Sequence, residues 1–163
     1  MSQANTSAFR VGVGYDFHAF SRGGTIVLGG HEIAGCPALQ GHSDADVLIH
    51  AAMDAVLGAA GEVDIGTLFP NTDEAYRNAR SAELAGQVLE MVREAGFGIV
   101  NLDAVLICDK PLISPYRPKI RAGLAEAFGL DTNQVNVKGK TTEGRGSSGV
   151  EATVVALLVK RGG

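Results

Sequence analysis

The order of strand-like and helix-like segments limits the fold of this chain more than any other feature of its sequence. Alternating or continuous apolar residues predict strands at 9–17, 25–33, 99–108, 134–140 and 151–160. Helical spacing predicts helices at 43–60, 78–97 and 114–129. The resulting ββααβαββ order predicts an α/β (α+β) fold, a single domain whose mixed β-sheet carries its helices on one face. We expect residues 1–8 to form a flexible N-terminal tail and residues 9–163 to form the domain.

Composition argues against several classes of protein. The 163-residue chain is 45% hydrophobic, yet an apolar run such as "VVALLV" is far shorter than the roughly 18 residues of a membrane span. Its net charge of −4 argues against a general nucleic-acid binder, which usually carries a basic excess. The start, "MSQANTSAFR", lacks the pattern of a signal peptide, and Cys36 and Cys108 have neither metal-site nor disulfide-framework spacing. We therefore expect a cytoplasmic protein with no membrane and no nucleic-acid partner.

The stretch "GYDFHAF" places two polar side chains in an otherwise apolar strand. Val11, Val13 and Tyr15 alternate with other residues, which predicts that their face of the strand is buried. Because residues i and i+2 of a strand lie on the same side, Asp16 and His18 share the face opposite Tyr15. Two metal-ligating side chains at a strand end form half of a metal site.

The stretch "GHSDADVLIHAAMD" supplies a third ligand. Asp46, His50 and Asp54 are spaced four residues apart and so lie near one face of the predicted helix. His50 completes the set with Asp16 and His18, and either flanking aspartate can accept its other ring N–H. One carboxylate, two histidines and an open position are typical of a catalytic zinc site, whereas structural sites have four protein ligands. The alternative is that His50 is a core histidine and that the other two residues simply end a strand.

Two loops beside these motifs are candidates for substrate binding. His42 lies at the start of the helix, and the free N–H groups behind a cap at Ser43 or Asp44 suit a phosphate, although a plain capped helix has the same sequence. "DIGTLFPNTD" contains Gly, Pro and Asn, which predicts a turn that presents Asp64 and Asp73. The alternative for this second loop is a surface connection.

The Gly-rich stretch "KGKTTEGRGSSG" joins two predicted strands. Its backbone N–H groups suit a phosphate, and Glu143 suits a hard cation such as Mg²⁺ beside phosphate oxygens. The alternative is an ordinary Gly-rich hairpin loop. His31 has no partner at useful spacing, and we interpret it as a surface or structural residue.

Together these motifs resemble the 2-C-methyl-D-erythritol 2,4-cyclodiphosphate synthase family of the non-mevalonate isoprenoid pathway. The matching stretches are "GYDFHAF", "LGG", "GHSDADVLIHAAMDAVLGAAG", "DIGTLFPNTD" and "NVKGKTTEGRG", and they cover most of residues 10–146. "HSDADVLIH" with an upstream "DxH" and a downstream "DIGxxFPxTD" is a very specific combination. The resemblance implies a CMP-forming phosphorus–oxygen lyase that converts 4-diphosphocytidyl-2-C-methyl-D-erythritol 2-phosphate to the cyclic diphosphate. It also implies a homotrimer with active sites at subunit interfaces.

The resemblance further assigns roles to individual residues. It implies one Zn²⁺ per chain on Asp16, His18 and His50, and Mg²⁺ or Mn²⁺ on Glu143 with the substrate diphosphate. The residues implied to steady the phosphates in the transition state are His42 and Thr141. The residues implied to bind substrate are Asp16, Phe17, His18, His42, Ser43, Asp64, Ile65, Gly66, Phe69, Pro70, Asn71, Thr72, Asp73, Lys140, Thr141, Thr142, Glu143 and Arg145. The implied nucleotide segment is Cys108, Asp109, Lys110, Pro111, Leu112, Ile113 and Ser114.

Two features depart from the family pattern. The loop after "TTE" is shorter than is usual in the family and lacks a Phe, and Arg145 is the match for a phosphate-binding arginine. Leu112 stands where the family often has Lys, while Lys110 lies at a different position. Both departures concern the nucleotide side of the site and leave the zinc ligands intact.

Two rival functions stay open on the sequence. A metal-dependent phosphohydrolase that uses a zinc-bound hydroxide would release inorganic phosphate or a linear product instead of CMP and a cyclic diphosphate. A non-enzymatic trimer that binds isoprenoid diphosphates on its axis would bind ligand without turnover. The metal triad together with the separate Glu143 loop favours the synthase. No side-chain nucleophile stands out, which agrees with attack by a phosphate of the substrate itself.

Overall fold

A mixed sheet of five strands forms the centre of the fold. The computed structural model describes residues 8–41, 44–70, 72–73, 76 and 79–161. The strands of the sheet are β1 (Phe9–Ser21), β4 (Ala38–Leu39), β5 (Phe97–Ile107), β6 (Val135–Lys140) and β7 (Gly149–Lys160), in the spatial order β4-β1-β7-β5-β6. β6 runs parallel to β5, and the other neighbouring pairs are antiparallel. A separate hairpin consists of β2 (Thr25–Leu28) and β3 (His31–Ala34).

Four α-helices accompany the sheet within the described ranges. They are α1 (Val47–Ala60), α2 (Ile65–Leu68), α3 (Ser81–Glu94) and α4 (Arg117–Ala127). α1 packs on β1 and β7, α3 on β5, and α4 on β6. This architecture confirms the predicted single α+β domain with a mixed sheet. In the described part of the chain, none of the helices combines the length and the hydropathy that crossing a bilayer requires.

The register of the sheet gathers small and apolar residues on the face that the helices cover. Gly14 of β1 pairs with Val154 of β7, and Val154 pairs with Ala104 of β5. Ala104 pairs in turn with Val137 of β6. All four residues of this row are buried, so the row fixes which side of every strand faces the core.

Glycines at alternate positions of β1 let α1 approach the backbone of the strand. A Cβ added to Gly14 would lie 1.9 Å from the carbonyl oxygen of Ala51, and one added to Gly12 would lie 2.0 Å from that of Ala55. Real Cβ atoms do not come so close to a backbone oxygen, so no side chain fits at either position. The glycines of β1 therefore set the distance between helix and sheet.

The opposite face of β1 is exposed in the single chain, which corrects the prediction that Val11, Val13 and Tyr15 are buried. These three side chains are 68%, 66% and 57% exposed. The physical reason is that the helix needs the close approach that glycine permits and a branched or aromatic side chain prevents. We call the exposed apolar surface of these strands the outer face; its residues are Phe9, Val11, Val13, Tyr15, Phe17 and Val155.

Turn residues divide one predicted strand into two. Residues 25–33 form a hairpin, because Gly29 and Gly30 have φ of 59° and 73° and reverse the chain between β2 and β3. β1 continues beyond the predicted end to Ser21, so its two candidate ligands lie within the strand and not at its end.

A buried aspartate and a crossing loop account for two further differences between the predicted elements and the structure. The helix predicted from Ser43 begins at Val47, because Asp46 caps it and accepts hydrogen bonds from two backbone N–H groups of its first turn. The Gly-rich stretch is not a hairpin loop: β5 lies between β6 and β7, so the connection crosses the end of that strand. In the predicted tail, residues 1–7 lie outside the described residues, and the Ala8 carbonyl accepts a 2.7 Å hydrogen bond from the Lys160 N–H.

Gly14→Ala tests the contact between α1 and β1. We expect it to lower the free energy of unfolding by about 1–3 kcal/mol or more, because the new methyl group overpacks against the helix backbone. Urea denaturation measures the change. Gly86→Ala is the matched control: Gly86 lies in α3 with nothing within 4 Å of an added Cβ, so this variant should be more stable by up to about 1 kcal/mol. Equal stability of Gly14→Ala and the natural chain would contradict the close approach.

Candidate active site

Asp16, His18 and His50 meet between β1 and α1. Asp16 Oδ2 lies 2.9 Å from His18 Nε2 and 3.2 Å from His50 Nδ1. The two histidine nitrogens are 3.2 Å apart. One ligand atom from each residue lies within 4.8 Å of the others. The three residues that the sequence places in one metal site therefore do come together.

The pleat of β1 and the close approach of α1 produce this meeting. Asp16 and His18 follow Gly14 on the strand face that the helix covers. His50 directly precedes Ala51, whose carbonyl oxygen lies over Gly14. The same contact that excludes a side chain at Gly14 therefore carries the His50 imidazole to the two strand ligands.

Contacts within the triad shift the pKa values of Asp16 and His18. Burial alone would raise the pKa of Asp16, but hydrogen bonds and charge from His18 and His50 hold it well below its usual range. Burial alone would lower the pKa of His18, but the hydrogen bond and the charge of Asp16 raise it. The result is an ionised carboxylate beside two imidazoles, which is a donor set for a divalent transition metal.

The second nitrogen of each imidazole contacts another protein group. His18 Nδ1 lies 2.5 Å from the carbonyl oxygen of Gln40, which only accepts. This nitrogen therefore carries the proton, and Nε2 presents its lone pair to the centre of the triad. His50 Nε2 lies 3.0 Å from Ser81 Oγ, which in turn lies 2.5 Å from Asp44 Oδ1.

The two aspartates that flank His50 in the helix serve other groups, which corrects the expectation that Asp46 or Asp54 accepts its ring N–H. Asp46 is fully buried and accepts N–H groups from the β2–β3 turn and from the first turn of α1. Burial raises the pKa of Asp46 to about 6, although these hydrogen bonds oppose the shift. Asp54 accepts the Ile65 N–H at 2.9 Å and so ties the start of α2 to α1. Both carboxylates satisfy backbone donors at helix starts, which have no partner within the helix.

A cavity of about 250 Å³ adjoins the triad. Its other lining residues are Gly41, Met53, Ile65, Gly66, Phe69, Tyr76 and Leu84. Three of these, Ile65, Gly66 and Phe69, belong to the predicted substrate residues. The sequence does not predict the other four, Gly41, Met53, Tyr76 and Leu84. Tyr76 packs edge-on against Phe69 with ring centroids 5.2 Å apart, and no sequence signal marks it. The apolar spacing of α3 does mark Leu84, but only as a core residue.

The other predicted substrate residues near the triad have different positions. Asp64 caps α2 and accepts the Thr67 N–H at 2.8 Å. Phe17 belongs to the outer face and is 42% exposed, so its side chain lies on the opposite side of β1 from the triad. Pro70 is half-buried, and Thr72 and Asp73 are exposed. His42, Ser43 and Asn71 lie outside the described residues.

A second group of predicted residues gathers where β5 and β6 end. The Cys108 N–H donates to the Lys140 carbonyl at 3.1 Å. Asp109 accepts from Thr142 twice, from the backbone N–H at 2.9 Å and from Oγ1 at 2.7 Å. These two bonds lower the pKa of Asp109 and tie the Gly-rich loop to the predicted nucleotide segment. In the same loop Thr141 Oγ1 donates to Glu143 Oε1 at 2.9 Å.

Within the nucleotide segment the side chains differ in exposure. Cys108 and Ile113 are 1% and 4% exposed and belong to the hydrophobic core. Burial raises the pKa of the Cys108 thiol to about 11 and keeps it neutral. Leu112 is 61% exposed. Among the described residues that line the triad cavity, none comes from 108–114 or 140–145, so one chain holds two separate groups of site residues.

Comparison with known proteins gives one consistent match. The sequence profile of the YgbB family matches residues 9–160. A 2-C-methyl-D-erythritol 2,4-cyclodiphosphate synthase of Aromatoleum aromaticum is 50% identical over 159 residues, which cover 94% of this chain and 96% of that protein. The synthase of Caldicellulosiruptor bescii is 45% identical over 151 residues, covering 93% and 96%. A solved synthase structure in a CDP-bound form has a TM-score of 0.86 at 34% identity, covering 91% of this chain and 99% of that one.

Asp109→Ala tests the tie between the nucleotide segment and the Gly-rich loop. We expect the Thr142 amide to exchange its hydrogen faster, because both bonds to the carboxylate are lost. Amide hydrogen exchange followed by NMR measures the effect. Leu112→Ala, which removes an exposed side chain from the same segment, should leave that exchange rate unchanged. An unaltered rate in Asp109→Ala would contradict the tie.

Proposed function

The chain belongs to the YgbB family, and on this premise we propose that Asp16, His18 and His50 hold one Zn²⁺ in a CMP-forming lyase. The function is that of a 2-C-methyl-D-erythritol 2,4-cyclodiphosphate synthase. It converts 4-diphosphocytidyl-2-C-methyl-D-erythritol 2-phosphate to the cyclic diphosphate and releases CMP in isoprenoid precursor synthesis. We place the enzyme in the cytoplasm, where buried free thiols such as Cys36 and Cys108 stay reduced.

The observation that carries the metal proposal is the donor set itself. One carboxylate oxygen and two imidazole nitrogens lie within 4.8 Å of one another. These are ligand types of Zn²⁺, and a set of three protein ligands is typical of catalytic zinc. The cavity beside the set gives a substrate access to it. The residues present therefore fit the ion.

The reaction joins two anionic groups of one substrate. An oxygen of the 2-phosphate attacks the β-phosphorus, the bond from that phosphorus to the bridging oxygen breaks, and CMP leaves with the oxygen and its electron pair. The bound cations supply positive charge that offsets the repulsion between the phosphates. The chain itself aligns the reacting groups and needs no side-chain nucleophile. We assign the phosphates to His42 and Thr141, the methylerythritol part to residues 64–66 and 69–73, and the cytidine to residues 108–114.

We assign Glu143 to a second cation, Mg²⁺ or Mn²⁺, beside the diphosphate. The φ of Glu143 is 52°, a left-handed conformation that costs energy for a residue other than glycine and is frequent at functional sites. A carboxylate beside phosphates is unfavourable unless a cation lies between them. Mg²⁺ suits that position because it accepts few protein ligands and completes its octahedron with phosphate and water. Lys140 and Arg145 flank the loop and supply further positive charge.

We propose a homotrimer in which the nucleotide group of one chain meets the triad of its neighbour. Two features support the assembly. The outer face exposes Val11, Val13 and Tyr15 on one side of a long strand, and a contiguous exposed apolar patch is typical of a protein–protein contact surface. The triad cavity of a single chain also has no lining residue from 108–114 or 140–145 within its described surroundings. A neighbouring chain would supply the missing half.

The assay of the proposed function is incubation with the cytidyl substrate and Mg²⁺, followed by phosphorus NMR and mass spectrometry. We expect CMP and the cyclic diphosphate in equal amounts. Inorganic phosphate or a linear product without the cyclic compound would identify a phosphohydrolase instead. Ligand binding without any turnover would identify a binding protein and overturn the proposal.

His50→Ala tests the zinc assignment. It should lose most of the bound zinc and all measurable activity while the fold stays intact, because a two-ligand site holds the ion weakly. Metal analysis and circular dichroism measure these effects. His31→Ala is the matched control, since the His31 ring lies near Tyr116 at a centroid distance of 6.2 Å and outside the triad. Full zinc occupancy in His50→Ala would exclude the assignment.

Glu143→Gln tests the second cation, because it keeps the size of the side chain and removes its charge. Zinc should stay bound, while turnover falls strongly and the Mg²⁺ requirement weakens. Titration of activity with Mg²⁺ gives the readout. Glu90→Gln, at a side chain 63% exposed on α3, is the control and should behave like the natural chain. Normal turnover with an unchanged Mg²⁺ titration in Glu143→Gln would remove Glu143 from the site.

Subunit mixing tests the interface sites. His50→Ala and Glu143→Ala chains are each expected to be inactive alone. After subunit exchange, composite sites with an intact triad from one chain and an intact loop from another should restore part of the activity. Native mass spectrometry confirms both the trimer and the exchange. No recovery despite proven exchange would show that each site lies within one chain.

A further inference from the structure

A hydrogen-bond chain runs from the first residue of α3 to the metal triad, through residues that the sequence analysis did not connect. We propose that Ser81 and Asp44 are positioning residues that keep the proton of the His50 imidazole on Nε2 and so present the Nδ1 lone pair to the metal. This inference rests on the proposed function of the triad, and it adds two residues that act through His50.

The geometry of the chain is continuous. His50 Nε2 lies 3.0 Å from Ser81 Oγ, and Ser81 Oγ lies 2.5 Å from Asp44 Oδ1. Ser81 is 0% exposed, so water does not compete for its hydroxyl. At the other side of the imidazole, His50 Nδ1 lies 3.2 Å from both Asp16 Oδ2 and His18 Nε2. One ring nitrogen therefore faces Ser81 and Asp44, which we call the relay, and the other faces the metal ligands.

Counting protons fixes the direction of the bonds that join His50, Ser81 and Asp44. A serine hydroxyl has one proton to donate, and an ionised carboxylate only accepts. The Ser81 proton therefore lies on the short bond to Asp44, and the remaining lone pairs of Ser81 Oγ accept. His50 Nε2 must then be the donor to Ser81. The neutral imidazole consequently has no proton on Nδ1, and that nitrogen is free to bind a metal.

The opposite tautomer is a real competitor, because its Nδ1–H can donate to the Asp16 carboxylate, and the contact with Ser81 acts against it. With its proton on Nδ1, His50 would donate to Asp16 Oδ2 at 3.2 Å and block the position of a metal ion. Its Nε2 lone pair would then face Ser81, whose only proton is already committed to Asp44. Both groups would be buried acceptors without a proton between them, which is unfavourable. Removing the Ser81 hydroxyl removes this penalty and allows the blocking tautomer.

The same carboxylate also fixes the start of α3. Both Asp44 oxygens lie 3.3 Å from the Ser81 backbone nitrogen, and Arg80 at the N-cap makes no side-chain capping bond. A negative charge at a helix N-terminus is favourable, and here it reaches across from the segment before α1. Asp44 therefore orients the Ser81 hydroxyl and anchors the helix that carries it.

The two histidines of the triad are held differently. His18 donates through Nδ1 to the backbone carbonyl of Gln40, an acceptor that no substitution of a side chain removes. His50 depends on a hydroxyl that a single substitution deletes. The relay is therefore the part of the metal site whose outer contacts mutagenesis can test directly.

The experiment compares Ser81→Ala, Ser81→Thr and Val88→Ala with the natural chain. Ser81→Ala should bind zinc about 10- to 100-fold more weakly, the usual effect of losing an outer contact of a metal-ligating histidine. Ser81→Thr keeps the hydroxyl and should restore most of the affinity. Val88→Ala removes buried side-chain volume from the same helix without touching the relay. It should lower the stability but leave the zinc affinity unchanged, which separates positioning from general destabilisation.

A second readout needs no metal and no activity. In zinc-free protein labelled with ¹⁵N-histidine, at a pH well above the ordinary imidazole pKa, NMR reports which nitrogen of His50 is protonated. The natural chain should show a larger share of the Nε2–H tautomer than Ser81→Ala, in which only the contact of Nδ1 with Asp16 remains. If Ser81→Ala fails to fold, Asp44→Asn and the spectrum of the natural chain decide the question.

These experiments distinguish a failure of the positioning role from a failure of the proposed metal site. Unchanged zinc affinity in Ser81→Ala, or the same share of the Nε2–H tautomer in Ser81→Ala and the natural chain, would overturn the positioning role even if the enzyme turns over normally. If the natural chain binds no zinc, the proposed metal site falls. The proton position in the zinc-free protein still supports or overturns the relay in that case.

Discussion

The structure depends on the close approach of α1 to β1. Gly12 and Gly14 let the helix backbone reach the strand, where an added Cβ would lie only 2.0 or 1.9 Å from a carbonyl oxygen of the helix. That approach orders the covered face of the sheet and brings His50 to Asp16 and His18. A larger residue at Gly14 would push the helix outward and separate the ligands, so the fold and the site share one constraint.

The same contact determines what the chain leaves uncovered. Because glycines occupy the helix-facing side of β1, the apolar side chains of that strand collect on the outer face, where Val11 and Val13 are 68% and 66% exposed. The two groups of predicted site residues are likewise separate in one chain, since the nucleotide segment and the Glu143 loop are tied to each other but do not line the triad cavity within its described surroundings. The proposed trimer would explain both features, because it would cover apolar surface and join the two groups.

The sequence predicts the meeting of the triad and the order of the long strands and helices, because strand pleating and helical spacing are local rules. It does not separate β2 from β3, and it does not predict the short elements β4 and α2. It does not reveal which face of β1 is buried. In an alternation of glycine and valine, the valines indicate the buried face unless it is known that a helix packs on the glycines. The partner of His50 Nε2 is Ser81, 31 residues away in the chain, whereas local spacing points to Asp46 and Asp54. A contact that depends on how α1 packs against α3 cannot be predicted from the spacing of residues that are close together in the sequence.

Anomalous diffraction at the zinc edge, from crystals of the zinc-loaded protein, tests whether the contact between α1 and β1 forms a zinc site. We expect one strong peak per chain, about 2.0–2.2 Å from Asp16 Oδ2, His18 Nε2 and His50 Nδ1. The peak should lie on the side of the triad that adjoins the cavity of Phe69 and Tyr76. If the protein carries zinc but the peak is absent from this position, or lies beside other residues, then Asp16, His18 and His50 are not the zinc ligands.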